Sequence, residues 1–100
     1  MHTTKKTKIV ATLGPATSTK EILTELAFSG VNVFRINFSH ADYDDVKERV
    51  KQIREINEEN GYNVAILADL QGPKLRVGVM EEGVILEDGA EFVFTTDKCV

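Results

Sequence analysis

One hundred residues can build one small domain or part of a larger one, and 42% hydrophobic with 28% charged residues is the balance of a soluble globular chain. A net charge of −4 with no basic stripe argues against a nucleic-acid or anionic-membrane partner. The single cysteine, Cys99, cannot form an internal disulfide, so a reducing compartment, the cytoplasm, is expected.

The chain starts with a basic run through Lys5 and Lys6, but the apolar residues behind it, 9–13, are too few for a signal or membrane segment. Lys5, Lys6 and Lys8 read as a solvated start. Residues 8–13 read as a first strand, stopped by Gly14-Pro15. Ser18 to Glu21 has the pattern of a capping box with Ser18 as N-cap. Ile22, Leu23, Leu26 and Ala27 then recur at helical spacing, and Gly30 stands where a helix-ending glycine belongs. A second strand is expected over 31–37. Asp42 reads as the N-cap of a longer helix, with Asp44 and Asp45 in its first turn. Its apolar face is Tyr43, Val46, Val50, Ile53 and Ile56, and it ends near Asn60-Gly61. Glu58 and Glu59 fall at that end, where the helix dipole disfavours them. Residues 64–68 read as a third strand, buried on both faces by their composition, and Asp69 closes it.

The second strand carries the signal. Val33, Arg35, Asn37 and Ser39 alternate with Phe34, Ile36 and Phe38, so polar and apolar sets take opposite faces. The near-continuous apolar runs of the flanking strands suggest a parallel sheet covered on both sides, with the polar set facing a barrel or crevice. A buried arginine is costly unless an anion compensates it. Arg35 is therefore a candidate phosphate or carboxylate ligand, with an internal salt bridge to Asp69 as the plainer alternative. The order β-α-β-α-β implies right-handed crossovers, which put functional groups at the carboxyl ends of the strands. Thr12, then Arg35, Asn37 and Ser39, then Asp69 all fall there. Past Gly72-Pro73 the texture changes: Leu75, Val77 and Val79 alternate with polar residues, and Glu82-Gly83 and Asp88-Gly89 signal turns. Residues 84–86 and 92–95 are short strand candidates of a β module, and Phe28, Phe92 and Phe94 read as core. A domain boundary is expected near 71–73, dividing 1–71 from 72–100.

Three stretches resemble pyruvate kinases. They are Lys8-Ile9-Val10-Ala11-Thr12-Leu13-Gly14-Pro15-Ala16, Phe34-Arg35-Ile36-Asn37-Phe38-Ser39-His40, and Asp69-Leu70-Gln71-Gly72-Pro73-Lys74-Leu75-Arg76-Val77-Gly78. The first alone is weak; the three in order and correctly spaced are specific. The resemblance implies an α/β fold: the first β-α-β-α-β portion of a (β/α)8 TIM barrel, followed by the start of an antiparallel β lid domain. It implies phosphoryl transfer from phosphoenolpyruvate to ADP, giving pyruvate and ATP, with Mg2+ and often K+. Arg35 matches the family's arginine on the transferring phosphoryl group. Asn37, Ser39, Asp69 and the carbonyl of Leu70 match its monovalent-cation ligands, and Asn37, His40 and Arg76 match nucleotide-contacting positions. The catalytic lysine and the Mg2+ ligands would lie beyond residue 100, so the chain alone is expected to be inactive. Family members of the potassium-dependent kind resemble one another in carrying Thr, Lys and Glu at positions 70, 71 and 74. Leu70, Gln71, Lys74 and Val77 look instead like the potassium-independent branch, with Lys74 replacing the cation. The resemblance also implies a homotetramer.

Two other readings fit the residues. One is a different phosphate-binding (β/α) barrel enzyme, for which Arg35 and Asp69 would serve equally. The other is a self-contained, non-enzymatic α/β binding module, against which stand two open sheet edges.

Overall fold

The computed structural model describes residues 5–39 and 41–97. Strands β1 (Val10–Thr12), β2 (Val33–Asn37) and β3 (Ala65–Asp69) alternate with helices α1 (Lys20–Ser29) and α2 (Tyr43–Asn60). The strands form one parallel sheet in the order β1-β2-β3. Thr12 pairs with Arg35, Arg35 with Leu67, and Asn37 with Asp69, so the three strands end together. This is the β-α-β-α-β order expected from the sequence, with β1 and β2 shorter than their apolar runs.

The helices start and stop where side chains can satisfy their free backbone groups. Thr19, not Ser18, caps α1, accepting a bond from the Ile22 amide at 3.4 Å. The shift has a local cause. Pro15–Thr17 winds into a 3-10 turn, and Ser18 closes that turn in a helical conformation, which leaves the extended cap position to Thr19. Gly30 ends α1 at φ 115°, a backbone conformation side chains rarely adopt, and the Val31 amide bonds back to the Leu26 carbonyl at 3.1 Å. Asp42 caps α2 as expected, its carboxylate accepting from the amides of Asp44 at 2.8 Å and Asp45 at 3.3 Å.

The core is made where both helices meet one face of the sheet. Phe34 of β2, Leu23 of α1, and Ile53 and Ile56 of α2 are fully buried there, with Val31 and Val64 at its edge. Each side chain of that size, once buried, contributes about 1.5–3 kcal/mol. The opposite face is bare, which corrects the expectation of a sheet covered on both sides. Val10 is 51% exposed and Leu67 42%, and Ala65 is exposed beside them. Two helices that both follow their strands on the same side can cover one face only, so β3 is half-buried at best. Tyr43 also leaves the expected apolar face of α2. It is 67% exposed and tilts against the Phe38 ring at 6.4 Å.

Residues 72–97 lie open. None is in a strand and all are exposed, although the turns at 82–83 and 88–89 form as read. Alternation makes a segment fit for a sheet, but a strand also needs a partner's ladder, and the described residues offer none. Phe92 and Phe94 pack edge to face at 5.2 Å instead of joining the core, and Phe28 is 56% exposed on α1. All three depart from the expected core role. The division into 1–71 and 72–100 stays a sequence expectation.

The acidic end of α2 has its explanation in α1. Lys20 reaches Glu59 at 2.8 Å and Glu55 at 3.1 Å, bridging the two helices. Those hydrogen bonds, from Glu59 first and Glu55 second, raise the Lys20 ammonium above its ordinary value of 10.5. A raised folded-state value means that the bridge contributes in full below the unfolded lysine value and is lost as pH rises through the folded one. The difference in melting temperature between wild type and Lys20→Met, measured in the protein that carries this chain, is expected to hold from about pH 7 to 9 and to shrink as pH rises beyond the unfolded lysine value of about 10.4.

The radius of gyration is 19.6 Å, against about 13 Å for a compact chain of this length. With that shape and a bare sheet face, the 100-residue chain on its own is expected to self-associate. Light scattering on a size-exclusion column should show oligomers or aggregate, and a sharp monomer with dispersed amide resonances would contradict it.

Candidate active site

The strand ends gather the polar side chains. Arg35, at the end of β2, donates from Nη1 to Thr12 Oγ1 on β1 at 3.2 Å and from Nη2 to Asp69 Oδ2 on β3. One guanidinium thus spans all three strands. The salt bridge that sequence reading held as the plainer alternative is present, and it leaves the other guanidinium N–H donors free. Arg35 is 30% exposed and Asp69 45%, so the pair sits at a surface open to a ligand. The backbone beneath is tied at both sides: the Leu13 amide bonds to the Arg35 carbonyl at 2.9 Å, and the Phe38 amide to the Asp69 carbonyl at 3.0 Å.

Asn37 is two residues beyond Arg35 on the same face of β2, opposite Asp69. Its Oδ1 accepts from the Ser39 amide at 3.0 Å, an Asx turn that bends the chain out of β2. Asn37, Ser39 and Asp69 are therefore brought to one place, with Leu70 directly after. Their oxygens, one carboxylate with neutral amide, hydroxyl and carbonyl groups, are hard donors of the kind that hard cations take. Among the described residues, no group of three or more acidic, His or Cys side chains is placed to hold a metal ion.

The remaining expected contacts are not assembled by the described residues. Lys74 is exposed, and its ammonium makes no hydrogen bond or ion pair there; its amide turns the chain by bonding to the Gly72 carbonyl at 2.9 Å. Arg76 is exposed on the open segment. His40 lies outside the described residues, as does Cys99.

Three residues matter that sequence reading passed over. Arg49, on α2, donates from Nη1 to the Thr17 carbonyl at 2.9 Å and from Nη2 to the Gly14 carbonyl at 3.3 Å. Asn57 bonds both ways with the Val64 backbone, at 2.9 and 3.0 Å, fixing the entry to β3. Lys5 is not merely solvated: its ammonium bonds the Gly30 carbonyl and, at 2.8 Å, Asn32 Oδ1. Asn57 had a faint signal, an amide near a helix end. The other two reach across 25 to 35 residues, which no local pattern reports.

A parallel β-α-β unit with helices on one face and convergent polar groups at the carboxyl ends of its strands is the architecture of a (β/α) barrel enzyme. Comparison with known proteins narrows this. The family model described as pyruvate kinase, barrel domain, matches residues 4–100, and the chain belongs to that family. It is 46% identical over 98 residues to a pyruvate kinase of Methylorubrum extorquens, covering 97% of this chain and 20% of that one. To pyruvate kinase II of Salmonella typhimurium it is 49% identical over 90 residues, covering 89% and 19%. The crystal structure of Cryptosporidium parvum pyruvate kinase superposes with a TM-score of 0.63 at 35% identity, covering 68% of this chain and 14% of that one. The chain thus spans about a fifth of the length of its curated relatives. Among the described residues no helix is long and apolar enough to cross a membrane.

Proposed function

We propose that this chain forms the opening of the barrel, and the entry to the lid, of an enzyme that transfers a phosphoryl group from phosphoenolpyruvate to ADP, in the cytoplasm. The observation that carries the reading is Arg35 spanning Thr12 and Asp69 at the ends of three parallel strands, in a chain of the pyruvate kinase family. The free N–H donors of Arg35 would neutralise charge spread over the transferring phosphoryl oxygens, an electrostatic contribution that needs no covalent step by the protein. Asn37, His40 and Arg76 would contact the nucleotide. Asn37, Ser39, Asp69 and the Leu70 carbonyl would hold a monovalent cation, whose chemistry when bound is to offset negative charge beside the phosphoryl group. The Mg2+ ligands and the proton-transferring lysine would come from elsewhere in the full enzyme, a homotetramer, so residues 1–100 alone would not turn over.

Lys74 bears on the cation. A tethered ammonium supplies a positive charge without a dissolved ion, whereas a Glu there adds a negative charge that a bound ion must balance. The competing use of Lys74 is as a solvated side chain on a strand edge.

The reading is tested in the full-length enzyme by steady-state formation of ATP. Arg35→Lys keeps the charge but loses the fork, and is expected to lower kcat by about a hundredfold. An Arg35→Lys enzyme at wild-type kcat, or a wild type with no transfer to ADP, overturns the proposal. With ionic strength held by a bulky cation, KCl is expected to change wild-type turnover by less than about twofold, and Lys74→Glu to make it depend on K+. Strong K+ activation of the wild type, or a Lys74→Glu enzyme indifferent to K+, defeats the role given to Lys74.

A further inference from the structure

The turn after β1 is held by more than its own sequence. Gly14 closes it locally: its amide donates to Thr17 Oγ1 at 2.9 Å, and its carbonyl accepts from the Thr17 amide and hydroxyl, both at 3.1 Å. Onto this knot Arg49 adds both arms of its guanidinium, bonding the Gly14 and Thr17 carbonyls from a helix 35 and 32 residues away. The side chain is half-buried and lines, together with Pro15 and Ser18, a cleft between α2 and the turn. A charged fork spent on two main-chain carbonyls is a strong and directional brace.

What the brace joins gives it a functional meaning. Gly14 stands two residues after Thr12, whose hydroxyl receives Arg35 Nη1. β1 is only three residues long, and its last tie to β2 is the Leu13 amide. The end of β1 therefore has little hold of its own. α2 leaves from the end of β2, the strand that carries Arg35, through the short link capped by Asp42. Arg49 closes this circuit from β1, through the turn, into α2 and back to β2.

We propose that Arg49 is a positioning residue for the phosphoryl-binding end of the sheet: it sets where Thr12 stands, and through Thr12 the plane of the Arg35 guanidinium. This rests on the reading of Arg35 given above. The effect is on placement of a group that is already paired, so substrate can still bind, and the loss falls on the rate. Misplacement of such a group by about 1 Å can cost up to a hundredfold.

The test compares Arg49→Met with Lys20→Met in the full-length enzyme. Lys20 bridges α1 to α2 through Glu55 and Glu59, and among the described residues its ammonium bonds neither the turn nor Arg35. Both variants should melt lower than wild type. Arg49→Met alone is expected to lower kcat by about ten- to a hundredfold, with KM for phosphoenolpyruvate within about threefold, and Arg49→Lys to recover part of the rate through a single bond. Amide hydrogen exchange supplies a readout that needs no activity: the Leu13 and Thr17 amides should exchange faster in Arg49→Met and unchanged in Lys20→Met. If Arg49→Met lowers only the melting temperature, as Lys20→Met does, or if the two amides exchange as in wild type, the inference is wrong. If the wild type transfers no phosphoryl group but the amides respond, the brace stands and the reading of Arg35 falls. If Arg49→Met does not fold, Arg49→Lys decides: wild-type kcat and exchange overturn the inference, and a reduced kcat with faster exchange at the two amides supports it.

Discussion

A guanidinium at the end of the central strand must find oxygen partners, and here they come from both neighbouring strands. Thr12 on one side and Asp69 on the other hold Arg35 across the sheet. That arrangement is possible in one register only. A slip of one residue in β2 would carry Arg35 to the face where Phe34 now lies with no exposed surface, under Leu23, Ile53 and Ile56. Packing on one face therefore aims the chemistry on the other. The helices fix the sheet's apolar side, and the polar side follows from strand pleating.

The two ends of the sheet are secured differently. At the amino end Lys5 binds Gly30 and Asn32, and Asn57 binds Val64, so each connection into a strand is tied to a neighbour. These contacts concern folding, as contacts at that end of parallel barrels generally do. At the carboxyl end the braces are Arg49 on the turn and the Asx bond from Ser39 to Asn37, which shape the rim around Arg35. Helix lengths serve both ends. α2 is long enough to present Arg49 near the rim and Glu55 and Glu59 to Lys20 lower down.

The elements were legible because their signals are local. Alternation in β2, the Asp42 cap, the Gly30 and Gly61 ends and the Ile53/Ile56 face each involve residues within a turn or two, and each is found. The gathering of Thr12, Arg35, Asn37 and Asp69 at the strand ends was legible for the same reason, since β-α-β order puts those ends on one side of the sheet. Apart from the α1 cap, what failed depended on partners far along the chain. Ser18 lost the cap to Thr19 because of a turn begun at Pro15. Val10 and Leu67 are apolar yet bare, since composition says that a face is to be covered and not by what. Residues 84–86 and 92–95 have the pattern of strands without the ladder that would make them so. Arg49 looked like any polar helix residue, because the two carbonyls it binds are specified by the path of another segment.

If the rim receives a phosphoryl group as proposed, the pairing of Arg35 with Asp69 also bears on why a further positive charge would be needed there. The two groups together are neutral, so they exert little long-range attraction on a phosphate dianion, and in water their mutual attraction is modest. Their value is geometric: Asp69 holds one edge of the guanidinium and leaves the other donors directed outward. In the proposed barrel, where the bare sheet face would be covered, the local dielectric would be lower, and both the attraction within the pair and the cost of leaving either member alone would rise. An arriving anion must then share the guanidinium with a carboxylate that repels it. A cation beside Asp69, whether a bound ion among Asn37, Ser39 and Asp69 or an ammonium carried by the chain, removes that repulsion without breaking the pair. On the proposed function, the oxygen cluster next to the Arg35–Asp69 bridge would serve the same electrostatic requirement, letting a neutral, well-placed pair receive a doubly charged ligand.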